Sequence, residues 1–380
     1  MKFNIDKKDL SSLTSLVYRA ASNKQTVPVL SGLLLQVSAE QGLIMTATDM
    51  EIGIRVVSDK IEVLETGSVL VNAHYFADLI KVLPDSSISL ILNKETSRLD
   101  INYGRSSGFI NTYRDYEYPE LPIKNMENSF SIAQETIKEA LKKTVFAASV
   151  THFRQVFTGV LFDIREGNIL NVVASDTHRL ACYTCNLENA EEIKPFNFII
   201  PTRTANELLR LLEDSQELIK IAFSENNVIF YKDNFILLSR LIEGQYPNYE
   251  QVIPGSFNTS LDIKTAILAN SLERARIMPS DEKLKIQHAK FHFRENEAQV
   301  NTYSEIMGEI EEVIEDLNIK GETDVKIAFN TNYFLDVVKI LAAECEELSI
   351  NLSGALGPAL IKNPLKDNYL YVLVPLRISN

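Results

Sequence analysis

Two short stretches hold the residue types that chemistry most often uses. RLACYTCNL places Cys182 and Cys185 in a C-x-x-C spacing, which can bind zinc or cycle a disulfide. SDTHRL sets His178 two residues after Asp176, a pairing that could pass a proton. Neither survives a look at its neighbours. The first stretch reads as a strand, where residues three apart face opposite sides. With three cysteines in the chain, no second pair exists to complete a zinc site, and the count fits a reducing compartment. Residues as close as Asp176 and His178 on one segment rarely assemble a catalytic triad, and no G-x-S-x-G elbow is present. No phosphate-cradling loop and no dinucleotide fingerprint occur either. An enzyme would rest on His178 alone, so the expectation is a non-enzyme with no metal and no cofactor.

The elements around these stretches are more telling, because they repeat. NAHYFADLIKVL at residues 72–83 returns as NTNYFLDVVKIL at 330–341, pairing six of twelve positions at an offset of 258. Half that distance along, PTRTANELLRLL (201–212) keeps Glu207, Arg210 and Leu212 at the acidic, basic and last apolar places. Phe3, Phe130 and Phe257 open three units spaced by 127 residues. Gly32 and Gly159, and Asp49 and Asp176, share that spacing. A unit this long exceeds the roughly 20–50 residues of a solenoid repeat and can own a core. The expected domains are 1–125, 126–254 and 255–380, divided at the proline-containing stretches YPELPIKNMENSF and YPNYEQVIPGSF.

Each unit reads as α+β. In TIKEALKKTVFAAS (136–149), Ile137, Ala140, Leu141, Val145 and Ala148 form one helical stripe, with Lys138, Glu139, Lys142 and Lys143 on the other side. SISLILN, RLDINYG and NVIFYKDN alternate like antiparallel strands. The expected fold is three repeated domains, each with two helices packed on antiparallel sheets.

The chain carries a net charge of −13, which by itself argues against wrapping nucleic acid. Its distribution argues the other way. The six expected helices, 7–22, 73–83, 134–149, 202–212, 263–276 and 331–342, hold thirteen lysines and arginines against seven acids. The rest of the chain therefore carries −19. Cationic helices around a common axis would suit a polyanion such as duplex DNA, while the acidic remainder discourages binding elsewhere. No apolar run nears the roughly 18–20 residues that span a bilayer, and MKFNIDKKDL lacks a signal-peptide core, so a cytoplasmic location is expected.

Several stretches, taken in order, resemble the beta sliding clamps of bacterial DNA polymerase III, the family of processivity factors. They are KFNIDKKDL, TVPVLSGLLLQV, TATDMEI, ASDTHRLA, IPTRTANELLRLL, SRLIEGQYPNYEQVIP, FNTNYFLDVV and YVLVPLR, and they span essentially the whole chain. The resemblance implies the DNA clamp fold. It also implies a homodimeric ring closed head to tail around duplex DNA, with no sequence-specific contact. The implied partners are a clamp loader, replicative and repair polymerases, and other proteins carrying short clamp-binding peptides; no membrane is involved.

The resemblance also implies sites. A peptide pocket would use Phe157, Leu180, Pro247, Val252, Val374, Pro375 and Leu376 as its floor. Ser175, Thr177, His178 and Arg179 would form its edge, with Asn330, Tyr333 and Arg377 nearby. DNA contact would fall to Lys24, His74, Lys138, His152, Arg154, Arg203 and Arg210, and the ring seam to Phe109, Ile277 and Met278. Thr177 stands where the family often has glycine, and Gln251 where it often has a basic residue. The competing expectation is a repeat-built protein-binding scaffold that does not encircle DNA.

Overall fold

The computed structural model describes residues 1–377 except 24–26, 115, 124–127, 188–192, 225 and 280–285. The first repeat runs β1 (Lys2–Asp6), α1 (Lys7–Val17), β2 (Gly32–Ser38), β3 (Gly42–Thr48), β4 (Ile52–Ser58), β5 (Ile61–Glu65), β6 (Gly67–Asn72), α2 (Ala73–Val82), β7 (Ser87–Asn93), β8 (Arg98–Tyr103) and β9 (Ser106–Asn111). The second runs β10 (Asn128–Ala133), α3 (Gln134–Thr144), β11 (Gly159–Arg165), β12 (Ile169–Ser175), β13 (Arg179–Asn186), β14 (Phe196–Pro201), α4 (Thr202–Leu211), β15 (Leu218–Phe223), β16 (Asn227–Lys232) and β17 (Phe235–Arg240). The third runs β18 (Thr259–Lys264), α5 (Thr265–Ala275), β19 (His288–Arg294), β20 (Glu297–Ser304), β21 (Gly308–Glu315), β22 (Asn318–Gly321), β23 (Val325–Asn330), α6 (Thr331–Ala342), β24 (Glu347–Leu352), β25 (Ala359–Lys362) and β26 (Tyr369–Leu373). The three repeats thus share one order of elements, with β5 and β22 as additions in the first and third.

Local chemistry explains why the twelve-residue motif recurs. Asn72 ends β6, and its side-chain oxygen accepts from the Tyr75 N–H at 2.9 Å. Asn330 ends β23 and accepts from Asn332 and Tyr333 at 3.0 and 3.2 Å. Each asparagine caps its helix, satisfying N–H groups that the first turn leaves unpaired. Behind the caps, Phe76 and Ile80, and Phe334, Val338 and Leu341, are buried at helical spacing.

The chain forms two compact units, and each holds two sheets. The first unit is built from Met1–Lys138 and Arg203–Ile242. Its eight-stranded sheet has the order β10-β15-β16-β17-β4-β3-β2-β6 and its five-stranded sheet β5-β1-β7-β8-β9. The second unit is built from Glu139–Asn186 and Glu243–Asn380 together with β14. It carries a nine-stranded sheet, β14-β11-β12-β13-β26-β25-β24-β18-β22, and a four-stranded sheet, β21-β20-β19-β23. The larger sheets join repeats by strand pairing. In the first unit β17, the last strand of repeat two, pairs antiparallel with β4, the fourth strand of repeat one. In the second unit β26 of repeat three pairs in the same way with β13 of repeat two.

One expectation about α3 is corrected. Its apolar stripe is buried at Ile137, Ala140 and Leu141, as the spacing predicts, but Lys143 is not on a solvated face. The ammonium is 2.7 Å from both Glu139 and Glu344. It also lies 5.2 Å from the Tyr183 ring centroid and 5.4 Å from that of Tyr369. Tyr183 and Tyr369 are direct partners across β13 and β26. The chain brings two carboxylates and two ring faces to the one cation, which meets the cost of removing it from water.

The apolar pocket and the basic side chains

The second unit contains a cavity of about 530 Å³. Phe157, Leu180, Pro247, Val252 and Val374, which the family resemblance names, line it, with Ser175, Thr177 and Arg179 at the edge. Tyr246, Asn248, Tyr249, Gln251, Pro254, Gly255, Ser256, Ser353, Pro358 and Val372 complete the lining. Most of that second set falls in 246–256, of which the sequence reading used two residues, and in the turn before β25, whose proximity is long-range and has no periodic signal.

The edge is a tight turn between β12 and β13. Asp176 Oδ1 accepts from the N–H groups of His178 and Arg179, both at 3.0 Å, and the Ser175 hydroxyl donates to the Arg179 carbonyl at 2.7 Å. This turn puts Thr177 at φ +76°, a left-handed backbone that a β-branched residue adopts only under strain. Arg179 is buried and spends its guanidinium on Asp176 at 3.1 Å, Asp336 at 2.6 Å and the Phe146 carbonyl at 2.5 Å. Burial pulls its pKa down, but Tyr371, Asp336 and Asp176 outweigh that and hold it above the ordinary arginine value.

The opposite wall is the segment 246–252. Tyr249 starts a short 3-10 turn to Val252, capped by the Asn248 side chain, which accepts from the Glu250 N–H at 3.1 Å. The Tyr249 hydroxyl donates to Asp163 on β11 at 2.7 Å and accepts from Asn171 on β12 at 3.0 Å. Arg165 Nε donates to the same Asp163 oxygen at 2.6 Å. Inside the cavity the Phe157 ring meets Tyr246 edge-on at 5.7 Å. The Phe157 ring also meets the His152 ring edge-on at 4.8 Å.

The remaining expected pocket residues sit elsewhere. The His178 carbonyl accepts from the Val374 N–H at 2.9 Å, so that residue acts through its backbone. Asn330 spends its side chain on the α6 cap. Tyr333 lies behind the edge, its ring 4.1 Å from the Arg179 guanidinium. Pro375 is buried and Arg377 exposed, and neither lines the cavity. Leu376 borders a second cavity of about 360 Å³ with Ala328 and Leu356.

Three of the seven expected DNA-contacting side chains are already paired with carboxylates. Lys138 lies 3.0 Å from Asp214, Arg210 lies 2.6 Å from Glu207, and Arg203 pairs with Asp49. The His74 ring meets Tyr18 edge-on at 5.5 Å, and its Nε2 is buried without a partner among the described residues. Arg154 is exposed, with its guanidinium 5.7 Å from the Phe153 ring, and its N–H donates to His152 Nδ1 at 3.0 Å. Lys24 lies outside the described residues. Acids from outside the helices, including Asp85, Asp214, Asp49 and Glu312, answer much of the helical surplus. Arg19, Lys81 and Lys264 are exposed and show no carboxylate partner among the described residues.

Phe109 and Ile277 are 50% and 76% exposed, among several exposed large apolar side chains, and Met278 is half-buried. Burial pushes both thiols of the C-x-x-C stretch up to about 12, so neither Cys182 nor Cys185 is a thiolate at neutral pH. Among the described residues no cluster of histidine, cysteine and acids could hold a metal ion. Among the described residues no helix is long and apolar enough to cross a membrane.

Comparison with known proteins agrees along the full length. Models of the N-terminal, central and C-terminal domains of the DNA polymerase III beta subunit match residues 1–122, 131–248 and 250–377. The beta sliding clamp of Halalkalibacterium halodurans is 30% identical, with 99% of this chain and all of that protein covered. A crystal structure of the Bacillus subtilis sliding clamp superposes with a TM-score of 0.89 at 28% identity, covering all of both chains. A Pseudomonas aeruginosa sliding clamp solved with griselimycin bound gives 0.89 at 26% identity, again over all of both chains. Three matched domains, one order of elements repeated three times and full-length relatives agree: the chain belongs to the DNA polymerase III beta subunit family, the non-catalytic beta sliding clamps that act as processivity factors in DNA replication.

Proposed function

We propose that two copies of the chain, each made of domains 1–125, 126–254 and 255–380, close head to tail into a ring that encircles duplex DNA in the cytoplasm. The observation that carries this reading is the bookkeeping of strand edges. In each inner junction the last strand of one repeat pairs with the fourth strand of another, β17 with β4 and β26 with β13. The remaining strands of those two kinds are β9 and β21, and each lies at the open end of its sheet. The same pairing repeated between two chains would join them. The chemistry of the two edges suits that union. Arg98 and Arg105 flank β9, and β21 carries Glu309, Glu311, Glu312 and Glu315. Phe109 and Ile277 would be covered there, with Met278 beside them. Such a ring holds DNA by topology, so moderate, largely paired charge around the hole favours sliding over gripping. His152, Arg154 and Lys24, with Arg203, Arg210, Lys138 and His74, remain the proposed DNA-facing set.

The 530 Å³ cavity fits a short peptide entering through one or two apolar side chains, so that polymerases, a clamp loader and repair proteins compete for one place. Griselimycin, bound by the Pseudomonas aeruginosa clamp, is the proposed small ligand of the same cavity. The ring is tested on nicked circular DNA. Loaded protein is expected to stay on the circle and to leave once the DNA is linearised. Retention on linear DNA, or failure to load with a clamp loader present, favours the protein-binding scaffold. Ile277→Asp should convert the mass in solution from two chains to one.

A further inference from the structure

The wall formed by 246–252 separates two cavities. Tyr246, Pro247, Asn248 and Tyr249 face the apolar pocket on one side and a polar cavity of about 350 Å³ on the other. The polar side contains the means of holding the wall. Asp163 is 6% exposed, and one of its carboxylate oxygens accepts from both the Tyr249 hydroxyl and Arg165 Nε. Asn171 donates to the same hydroxyl at 3.0 Å, and its own carbonyl oxygen accepts from Thr184 on β13 at 2.8 Å. Arg165 donates to the Tyr249 hydroxyl at 3.3 Å and pairs with Glu250 at 3.2 Å. One phenolic oxygen is therefore bonded to three side chains from β11 and β12. The 3-10 turn it begins delivers Val252, half exposed, to the pocket.

We propose that Tyr249 is a positioning residue for the peptide pocket: its hydroxyl, tied to Asp163 and Asn171 from behind, fixes the wall carrying Pro247 and Val252 before any partner arrives. This rests on the pocket assigned above as the peptide site. A wall already held at its bound spacing spares the partner the cost of ordering it, which raises affinity without adding a contact. The hydroxyl points away from the pocket into the polar cavity, so removing it takes nothing from the surface a ligand touches.

The test uses full-length chain and griselimycin as the probe. Tyr249→Phe keeps the ring and deletes the tether; its dissociation constant is expected to rise about five- to tenfold, carried mainly by faster release. Asp163→Asn keeps an acceptor for the phenol and should weaken binding less than Tyr249→Phe does. Tyr118→Phe is the control for lost stability alone. Its hydroxyl accepts from Thr48 at 3.0 Å and donates to Gly32 at 3.3 Å in the first unit, and its loss should leave binding unchanged. If the parent chain fails to bind griselimycin, the pocket assignment falls. If the parent binds and Tyr249→Phe binds equally well, or Tyr118→Phe weakens binding as much, the positioning role is overturned.

Discussion

The junctions β4·β17 and β13·β26 occupy the same place in the repeat and are filled by opposite chemistry. In the first unit Val56 faces Phe235 across the strands. Nearby Gly53 faces Leu238, and a Cβ on that glycine would collide with the Leu121 side chain. Leu121, Leu238 and Ile229 form a small buried cluster over the joint. Moving 127 residues along, Val56 becomes Tyr183 and Gly53 becomes Leu180. Tyr183 faces Tyr369, and the Lys143 ammonium lies near both rings. The residue 127 before Lys143 is Leu16. The backbone pairing is what the repeat retains. The side chains over it are free to diverge, because a strand ladder needs only matched N–H and C=O groups.

The largest effect should come from breaking the ionic joint at one partner. Lys143→Ala leaves Glu139 and Glu344 facing each other without a cation and is expected to cost about 3 kcal/mol, the low end for a broken buried pair because Glu139 remains partly hydrated. Urea unfolding followed by circular dichroism measures it. The apolar joint should be nearly as sensitive to a cavity: Leu121→Ala is expected to cost about 2–3 kcal/mol in the same experiment. The smallest effect separates the two joints by pH. Burial raises the Glu139 pKa, but its hydrogen bonds from Lys143 and Tyr183 outweigh this and hold it below 4.5, its ordinary value. A depressed carboxyl stabilises the fold above its unfolded pKa, and that contribution is lost as pH falls through the folded value. Lys143→Met should therefore lie about 3 kcal/mol below the parent chain at pH 7, like Lys143→Ala, and narrow that gap below pH 4.5 as the unpaired carboxylates are protonated. Leu121→Ala should show no such narrowing. A constant offset between Lys143→Met and the parent at every pH would refute the ionic account of the second joint.

Much of this architecture was readable from spacing. The 258-residue offset located α2 and α6, because the Asn72 and Asn330 caps and the buried phenylalanines behind them are set by adjacent residues. Periodicity failed at Lys143. A lysine opposite an apolar stripe is ordinarily solvated, and the Glu344 that meets it lies 201 residues away. The pocket was half legible for the same reason. Phe157, Leu180 and Val374 were reached through family resemblance. Ser353 and Pro358 arrive through strand pairing that no local pattern announces. Asn330 was placed near the pocket by family resemblance, and its side chain caps α6, a role its own adjacent residues set. The helical surplus of charge was legible, but its neutralisation by Asp49, Asp85 and Asp214 was not, since each acid is delivered by a loop or strand end.

The two open edges have a consequence for assembly. A chain with complementary ends can polymerise, and a heterologous contact closes only when its rotation returns to the start. The same β9 and β21 edges would give an endless filament if the joints between repeats bent by the wrong angle. Rigid inner joints, one greasy and one charged, would then serve to choose the finite object over the fibre.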